Sequence, residues 1–397
     1  MQQCTIRHSM DIALVCEGNA ESSETAFSGT AKKIYQCLKA EGNHLIPVDA
    51  SLHSLQQAFV ACSSFSKDKL RWRSKYRYGS HGAKSRTAAS ASSLGTRKVD
   101  IILQIGATYD PPHMDRIPYA LYCDWNLALN IEDSQRTHAA NLGLTHGELQ
   151  AINAEHTRRY SRAQIIFTIS ERLRHSFIDL YKLPPSRVRT AYAGPNFDTA
   201  LIDQTLTQPK QSQYPTILFI AKEFRRKGSD IVASAFSQLL QAFPEVHLVF
   251  AGAEHLPDDF LSLPNVEHLG ILDKAVPSQL QRLLSAFRQA DVLVLPSRYD
   301  PFPTVIREAM FFGIPCVASN IWAMPEMIED GKTGFLIPPN DSGALFLALK
   351  CLLNNIQLRL QMGQSARARA EALFSWSAVG KVLTQGLEDC VASDVRS

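Results

Sequence analysis

The chain has 397 residues, 45% apolar and 20% charged, with 41 Lys plus Arg against 38 Asp plus Glu and a net charge of +3. That length predicts two or three domains, the composition excludes wholesale disorder and collagen-like structure, and the near-balance of charge excludes the strongly basic character of a dedicated nucleic-acid binder. Eight cysteines without a C-x-x-C pair exclude a disulfide scaffold and a zinc knuckle.

The N-terminal MQQCTIRHSM lacks the apolar centre of a signal peptide, and no stretch reaches the roughly 20 apolar residues that cross a bilayer, so a cytoplasmic protein is expected. The apolar runs Ile12–Cys16, Leu45–Val48, Val99–Ile105, Tyr119–Cys123, Ile165–Ile169 and Val188–Tyr192 alternate with helical patterns. Within this half, Ser85–Thr96 is rich in Ser and Ala and reads as a loop or a weak helix. A polar stretch between Asp198 and Tyr214 breaks the series and reads as a linker. Beyond it, Thr216–Ala221, Val246–Ala251, Val266–Leu269, Val292–Leu295, Pro315–Ala318 and Gly334–Ile337 repeat the pattern, and Trp376–Val391 is helical.

Continuous apolar strands mark parallel sheets covered on both faces. Alternation with helices then predicts an α/β fold of two doubly wound Rossmann-like domains facing a central cleft. The expected boundaries are 1–200, a linker at 201–214, 215–375, and a C-terminal helix at 376–397 that packs back on the first domain. Ligands of such sheets bind beyond the carboxyl ends of the strands, so the residues that follow each run are the candidates for chemistry.

After Thr216–Ala221 comes Lys222-Glu223-Phe224-Arg225-Arg226-Lys227-Gly228 and then a helix over Ser229–Phe243. Two ammonium groups beside the unpaired N–H groups of a helix start suit a diphosphate; taken alone, the run also reads as a solvated basic loop. After Val292–Leu295 comes Pro296-Ser297-Arg298-Tyr299-Asp300-Pro301-Phe302-Pro303, a short helix carrying Glu308, and Gly313 as its left-handed cap. Glu308 is placed to accept both hydroxyls of a ribose, Asp300 to bind sugar hydroxyls, and the N–H groups around Thr304 and Val305 to hold phosphate oxygens. A turn cap at Asp300 and a dipole partner at Glu308 are the alternatives.

With these blocks in order, and with Pro325–Leu336 and Phe374-Ser375-Trp376 behind them, the stretch from Ile217 to about Trp376 resembles the donor domain of retaining glycosyltransferases of family 4, the group 1 glycosyltransferases of GT-B type. The resemblance implies that Lys222 and Lys227 hold the donor diphosphate, Glu308 the nucleotide ribose and Asp300 the transferred sugar, while Gly270 and Ile271 line the base pocket. The family usually carries Arg where Lys222 stands and Glu where Asp300 stands. Both departures keep the charge, although Lys offers a point charge in place of a fork.

In the first half, Phe27-Ser28-Gly29-Thr30 opens the helix Ala31–Glu41 and resembles the family's N-terminal glycine loop; alone it is also an ordinary cap. Strand Tyr119–Cys123 ends at Asp124-Trp125-Asn126. Many members place a His there; Asp124 in its stead would steady positive charge at the anomeric carbon or cap a helix. Between Lys67 and Arg86 stand eight basic residues and one acidic, interleaved with Phe65, Leu70, Trp72, Tyr76 and Tyr78. That mixture suits an anionic membrane surface, and equally RNA or an anionic acceptor; a solvated helix with inward aromatic anchors is the plainer reading.

The sequence therefore predicts a metal-independent retaining glycosyltransferase that needs no cofactor. It moves a sugar from a nucleoside diphosphate donor, UDP-linked by default or GDP-linked, to a glycan or lipid-linked acceptor at the inner membrane face. Catalytic roles fall to Asp124, Lys222, Lys227 and Asp300. Donor binding falls to Gly29, Lys222, Lys227, Gly270, Ile271, Asp300, Pro303, Thr304, Val305 and Glu308. No Asp-x-Asp pair stands at a strand end to hold a metal, and no nucleic-acid partner is expected. A sugar-nucleotide epimerase of the same fold and a non-catalytic nucleotide-sugar-binding module are the rival readings.

Overall fold

The structure, a computed structural model, describes residues 9–22, 29–137 and 142–394. The chain divides into two compact units, one of Met1–Ala193 with Trp376–Ser397 and one of Gly194–Ser375. Each contains a six-stranded sheet in which every neighbouring pair is parallel.

The first sheet holds β1 (Asp11–Cys16), β2 (His44–Asp49), β3 (Ile101–Ile105), β4 (Tyr119–Cys123), β5 (Ile165–Thr168) and β6 (Val188–Thr190), in the order β2-β1-β3-β4-β5-β6. The second holds β7 (Thr216–Ile220), β8 (His247–Ala251), β9 (Val266–His268), β10 (Val292–Leu295), β11 (Cys316–Ser319) and β12 (Gly334–Ile337), in the order β12-β11-β10-β7-β8-β9. Each run of the sequence has become a strand; in the sheet interior an uninterrupted apolar segment is stable because both faces are covered, while the edge strand Val266–His268 carries exposed Glu267. Val292, Leu293, Val294 and Leu295 are fully buried, as are Ile12 through Val15.

The strand orders locate the sites. In the second sheet the chain runs outward from β7 through β8 to β9, then returns to build β10, β11 and β12 on the other side of β7. The loops leaving β7 and β10 diverge, and a crevice opens at their carboxyl ends. In the first sheet the equivalent switch lies between β1 and β3.

Three segments depart from expectation. Part of the expected linker is a helix, Thr199–Leu206, capped by the Asp198 carboxylate on the Ala200 N–H at 3.0 Å and anchored by buried Ile202. One apolar anchor in eight residues leaves too little periodicity to read. Ser85–Thr96 lies mostly within a 15-residue helix, Ser80–Leu94, which buries Arg86, Ser90 and Leu94. Its small residues leave room for close packing while giving almost no apolar stripe.

The C-terminal helix Trp376–Asp394 belongs to the first unit. Gly380 lies against the Cys37 backbone, where a Cβ would stand 3.1 Å from its carbonyl oxygen. Asn43 Nδ2 donates to Thr384 Oγ1 at 3.1 Å, and Arg189 pairs with Asp389 at 2.8 Å. Phe27 and Ser28 of the glycine loop lie outside the described residues. Among the described residues no helix is long and apolar enough to cross a membrane.

Candidate functional site

In the second unit the β7 loop folds onto the β10 loop. Gly228, at φ 81° and ψ 37°, precedes the helix Ser229–Ala242, and a Cβ on it would stand 2.2 Å from the Pro296 carbonyl oxygen. Only glycine permits both the left-handed backbone and that approach. Around this contact the loops are laced together. Arg298 N–H donates to the Arg226 carbonyl at 2.9 Å, and the Arg298 guanidinium grips both Asp230 oxygens at 2.8 Å. Those hydrogen bonds hold the Asp230 carboxyl below its ordinary value. Arg226 in turn donates to the Tyr299 carbonyl at 2.5 Å.

The lacing brings Lys227 to Asp300, and the two form an ion pair with side chains only 14% and 10% exposed. Lys227 is thus largely enclosed, because Gly228 presses its loop against the segment that follows β10. Lys222 is exposed at the end of β7.

Past the Pro-rich turn, the helix is Thr304–Phe311, with Pro303 as its N-cap residue and no side chain capping it. Thr304 and Val305 occupy its first turn half-buried, so their N–H groups have no intrahelical acceptor. Gly313, at φ 68°, follows the last turn as anticipated.

Glu308 sits one turn in and is 4% exposed. Its Oε1 receives Lys274 Nζ at 2.5 Å, and the same ammonium lies 4.1 Å from the Phe197 ring centroid. Lys274 escaped the sequence reading: it lies in an irregular loop after β9, and its only mark is a cation a few residues beyond Gly270. Gly270 has φ 71° and its carbonyl accepts the Gly252 N–H at 2.8 Å, and Ile271 beside it is exposed.

In the first unit, Gly29 precedes the helix Thr30–Ala40 at φ 83°, with no side-chain cap. Asp124 follows β4, and its Oδ1 is buried without a partner among the described residues. The helix Leu127–Thr137 is capped by Asn126, whose Oδ1 accepts the Leu129 N–H at 2.8 Å, so Asp124 is not the cap. Burial pushes the Asp124 carboxyl up to about 6.

A folded-state value above the ordinary one means that stability from protonated Asp124 is full below about pH 4 and is lost as pH rises through 6. Asp124→Asn is therefore expected to remove up to ~3 kcal/mol of pH-dependent stability across that window. Denaturant unfolding of both proteins from pH 4 to 7 checks it; parallel curves would contradict it.

Among the described residues, no three His, Cys, Asp or Glu side chains converge as metal ligands. The basic segment divides. Arg71 is taken up by Glu148 at 2.9 Å, and Arg86, 3% exposed, by Glu17 at 2.9 Å, whereas Lys67, Lys69, Arg73 and Arg77 are exposed. Arg71 and Arg86 therefore leave the expected membrane-facing set, because buried or half-buried guanidinium groups demand carboxylate partners.

Residues 204–369 match the sequence model of the group 1 glycosyl transferases. Phosphatidyl-myo-inositol mannosyltransferase of Mycobacterium leprae is 32% identical over 204 residues, 48% of this chain and 52% of that protein. The chain spans about half the length of several curated relatives it matches. Among solved structures, sucrose-phosphate synthase from Thermosynechococcus elongatus aligns with a TM-score of 0.69 at 17% identity, covering 97% of this chain and 100% of the other. HepE from Anabaena, in complex with UDP and glucose, aligns at 0.61 and 16% identity, covering 96% and 100%. The fold is thus the one shared by GT-B glycosyltransferases, and the similarity to the group 1 sequence model lies within the second unit.

Proposed function

We propose that the chain is a retaining glycosyltransferase that moves a sugar from a nucleoside diphosphate donor to an acceptor hydroxyl. The observation that carries this reading is the Lys227–Asp300 pair, enclosed where the loops after β7 and β10 meet, inside the stretch that matches the group 1 family. As the glycosidic bond breaks, negative charge grows on the diphosphate. Lys222, Lys227 and the first-turn N–H groups of Ser229–Ala242 and Thr304–Phe311 are preorganised to receive it, and charge stabilisation of this kind is the largest contributor in many enzymes. These amines and amides take the task that a divalent cation performs in other transferases.

The ion pairs give the site a resting state. In the free chain Asp300 neutralises Lys227 and Glu308 neutralises Lys274. A donor exchanges these contacts: the diphosphate takes Lys227, which releases Asp300 to the sugar hydroxyls, and the ribose hydroxyls meet Glu308. Gly270 and Ile271 line the base. A uridine base is favoured because a neighbour of the same fold is seen with UDP. For the first unit the reading keeps two roles, the Gly29 backbone for a phosphate and the Asp124 carboxylate for developing positive charge.

The test is release of nucleoside diphosphate from UDP-glucose, UDP-galactose and GDP-mannose, with and without an acceptor panel. Acceptor-dependent release is the expected result. An epimerised donor without acceptor would favour an epimerase, and binding without turnover a binding module; either outcome sinks transfer.

The reading includes contact with an anionic membrane and a lipid-linked or glycan acceptor. It is supported by Lys69, Arg73 and Arg77, which recur every four residues along the helix Lys69–Tyr78, and by Lys67 before it. The same stretch of chain exposes Leu55, Phe59, Phe65 and Leu70. Replacing the four cations by Gln is expected to weaken binding to phosphatidylglycerol vesicles roughly a hundredfold or more, at about 1 kcal/mol per cation. Vesicle co-sedimentation checks this, and unchanged binding would remove the membrane contact.

A further inference from the structure

The first unit contains a cavity of about 650 Å³ walled by the helices Lys69–Tyr78, Ser80–Leu94 and His146–Arg162 and by the loop after β3. That volume suits a ligand the size of one or two sugar rings. Its charges are unevenly committed. Asp110 is gripped by Arg158 through both oxygens at 2.7 and 2.8 Å and by Arg159 at 2.6 Å. Burial pushes the Asp110 carboxyl up, but those hydrogen bonds outweigh it and hold the carboxyl below its ordinary value. Glu155 receives Arg158 at 2.9 Å, and Glu148 receives Arg71, whose hydrogen bonds pull it down to about 2.

Every carboxylate on the wall is thus matched by an arginine. Lys75 and Lys84 also line the cavity, and among the described residues neither has a carboxylate within ion-pair distance. Their charge is left over. The first turn of Ser80–Leu94, which no side chain caps, has Ser80 and His81 on the wall and adds backbone N–H donors. The paired carboxylates keep lone pairs for hydroxyl donors.

We infer that this cavity binds a phosphorylated polyol, with the phosphate on Lys75 and Lys84 and the hydroxyls on Glu155 and Asp110. Its assignment as the acceptor site rests on the glycosyl-transfer reading; the binding of a sugar phosphate does not. The same chemistry is offered by a free sugar phosphate and by the headgroup of a phosphoinositide.

Calorimetric titration of the full chain tests it with three probes: glucose 6-phosphate, glucose, and phosphatidylinositol vesicles. Glucose 6-phosphate is expected to bind and glucose to bind at least tenfold more weakly. Lys75→Gln combined with Lys84→Gln is expected to weaken glucose 6-phosphate about tenfold or more, with an unchanged melting temperature and an unchanged affinity for UDP. Displacement of glucose 6-phosphate by the vesicles identifies a lipid headgroup as the natural source, and its absence a soluble phosphate; either supports the site. Equal affinity of the double variant and the parent for glucose 6-phosphate, or no binding of any phosphorylated probe, would overturn it. If the sugar phosphate binds but is never glycosylated while the acceptor panel still supports transfer, the cavity stands and its assignment as the acceptor site fails; if no acceptor is glycosylated, the transfer reading fails and the cavity still stands.

Discussion

Glu308→Ala is expected to raise the dissociation constant for UDP by roughly 30- to 100-fold, while the melting temperature changes little. The carboxylate is 5% exposed at its side chain and holds a single ammonium, that of Lys274, which is 34% exposed. If ribose hydroxyls donate to Glu308, each charge-assisted hydrogen bond is worth about 1.5–3 kcal/mol, and losing one or two accounts for the change. The stability effect is small because Lys274 turns to solvent once its partner is gone, and burying an ion pair gains little over leaving it exposed.

The Lys274→Met variant separates the possibilities. It leaves the carboxylate in place, so UDP binding is expected to persist. If instead the pair only props up the loop after β9, Glu308→Ala and Lys274→Met should lower the melting temperature alike and leave UDP affinity alone. Calorimetric titration with UDP and thermal unfolding of both variants decide between these outcomes.

The second large effect is expected at Gly228. A methyl group there meets the Pro296 carbonyl oxygen at 2.2 Å and sits on a residue at φ 81°. The left-handed backbone costs about 1–2 kcal/mol for a side chain, and forcing a group into packed backbone costs about 1–3 kcal/mol more. Gly228→Ala is therefore expected to destabilise the second unit by roughly 3 kcal/mol, about 10 °C in melting temperature for a unit of this size. UDP binding should weaken as well, because the clash parts the β7 and β10 loops and with them Lys227 from Asp300. Thermal unfolding and UDP titration measure both. A variant as stable as the parent would mean that the two loops are not held together at this contact.

The two predictions touch different levels of the structure. Glu308 concerns the donor surface, and Gly228 the seam that assembles it. Asp300 and Lys227 depend on both, since a paired lysine and aspartate are available to a diphosphate only if the seam holds them in reach of it.

How much of this was legible in the chain follows from the range of the forces involved. The inner strands, such as Ile12–Cys16 and Val292–Leu295, could be read from short apolar runs, since burial on both faces of a parallel sheet leaves its mark in each strand separately, whereas the edge strand Val266–His268 is nowhere buried and Val188–Thr190 only at Val188. Gly228 and Gly313 were readable for the same reason: a helix end is specified within a few residues. The Lys222–Gly228 and Pro296–Glu308 blocks stood out because they directly follow such runs.

Partnerships were another matter. Lys227 and Asp300 are 73 residues apart and Lys274 and Glu308 are 34 apart, and nothing local joins them. Arg71 and Glu148, 77 residues apart, gave the sequence the look of one continuous basic segment. Tertiary structure assigned Arg71 to a carboxylate, buried Arg86, turned Lys75 and Lys84 onto a cavity, and left Lys67, Lys69, Arg73 and Arg77 outside. It also set the C-terminal helix on the first unit, where close contact at Gly380 and Gly386 decides the fit.

The sequence by itself determined the strands, the turns and the charges that follow them, because hydrophobic periodicity and backbone preference act over a few residues. Only the tertiary structure decided which charges neutralise one another and which remain for a ligand. Strand order, a property of the whole sheet, chooses the neighbours between which electrostatic attraction acts.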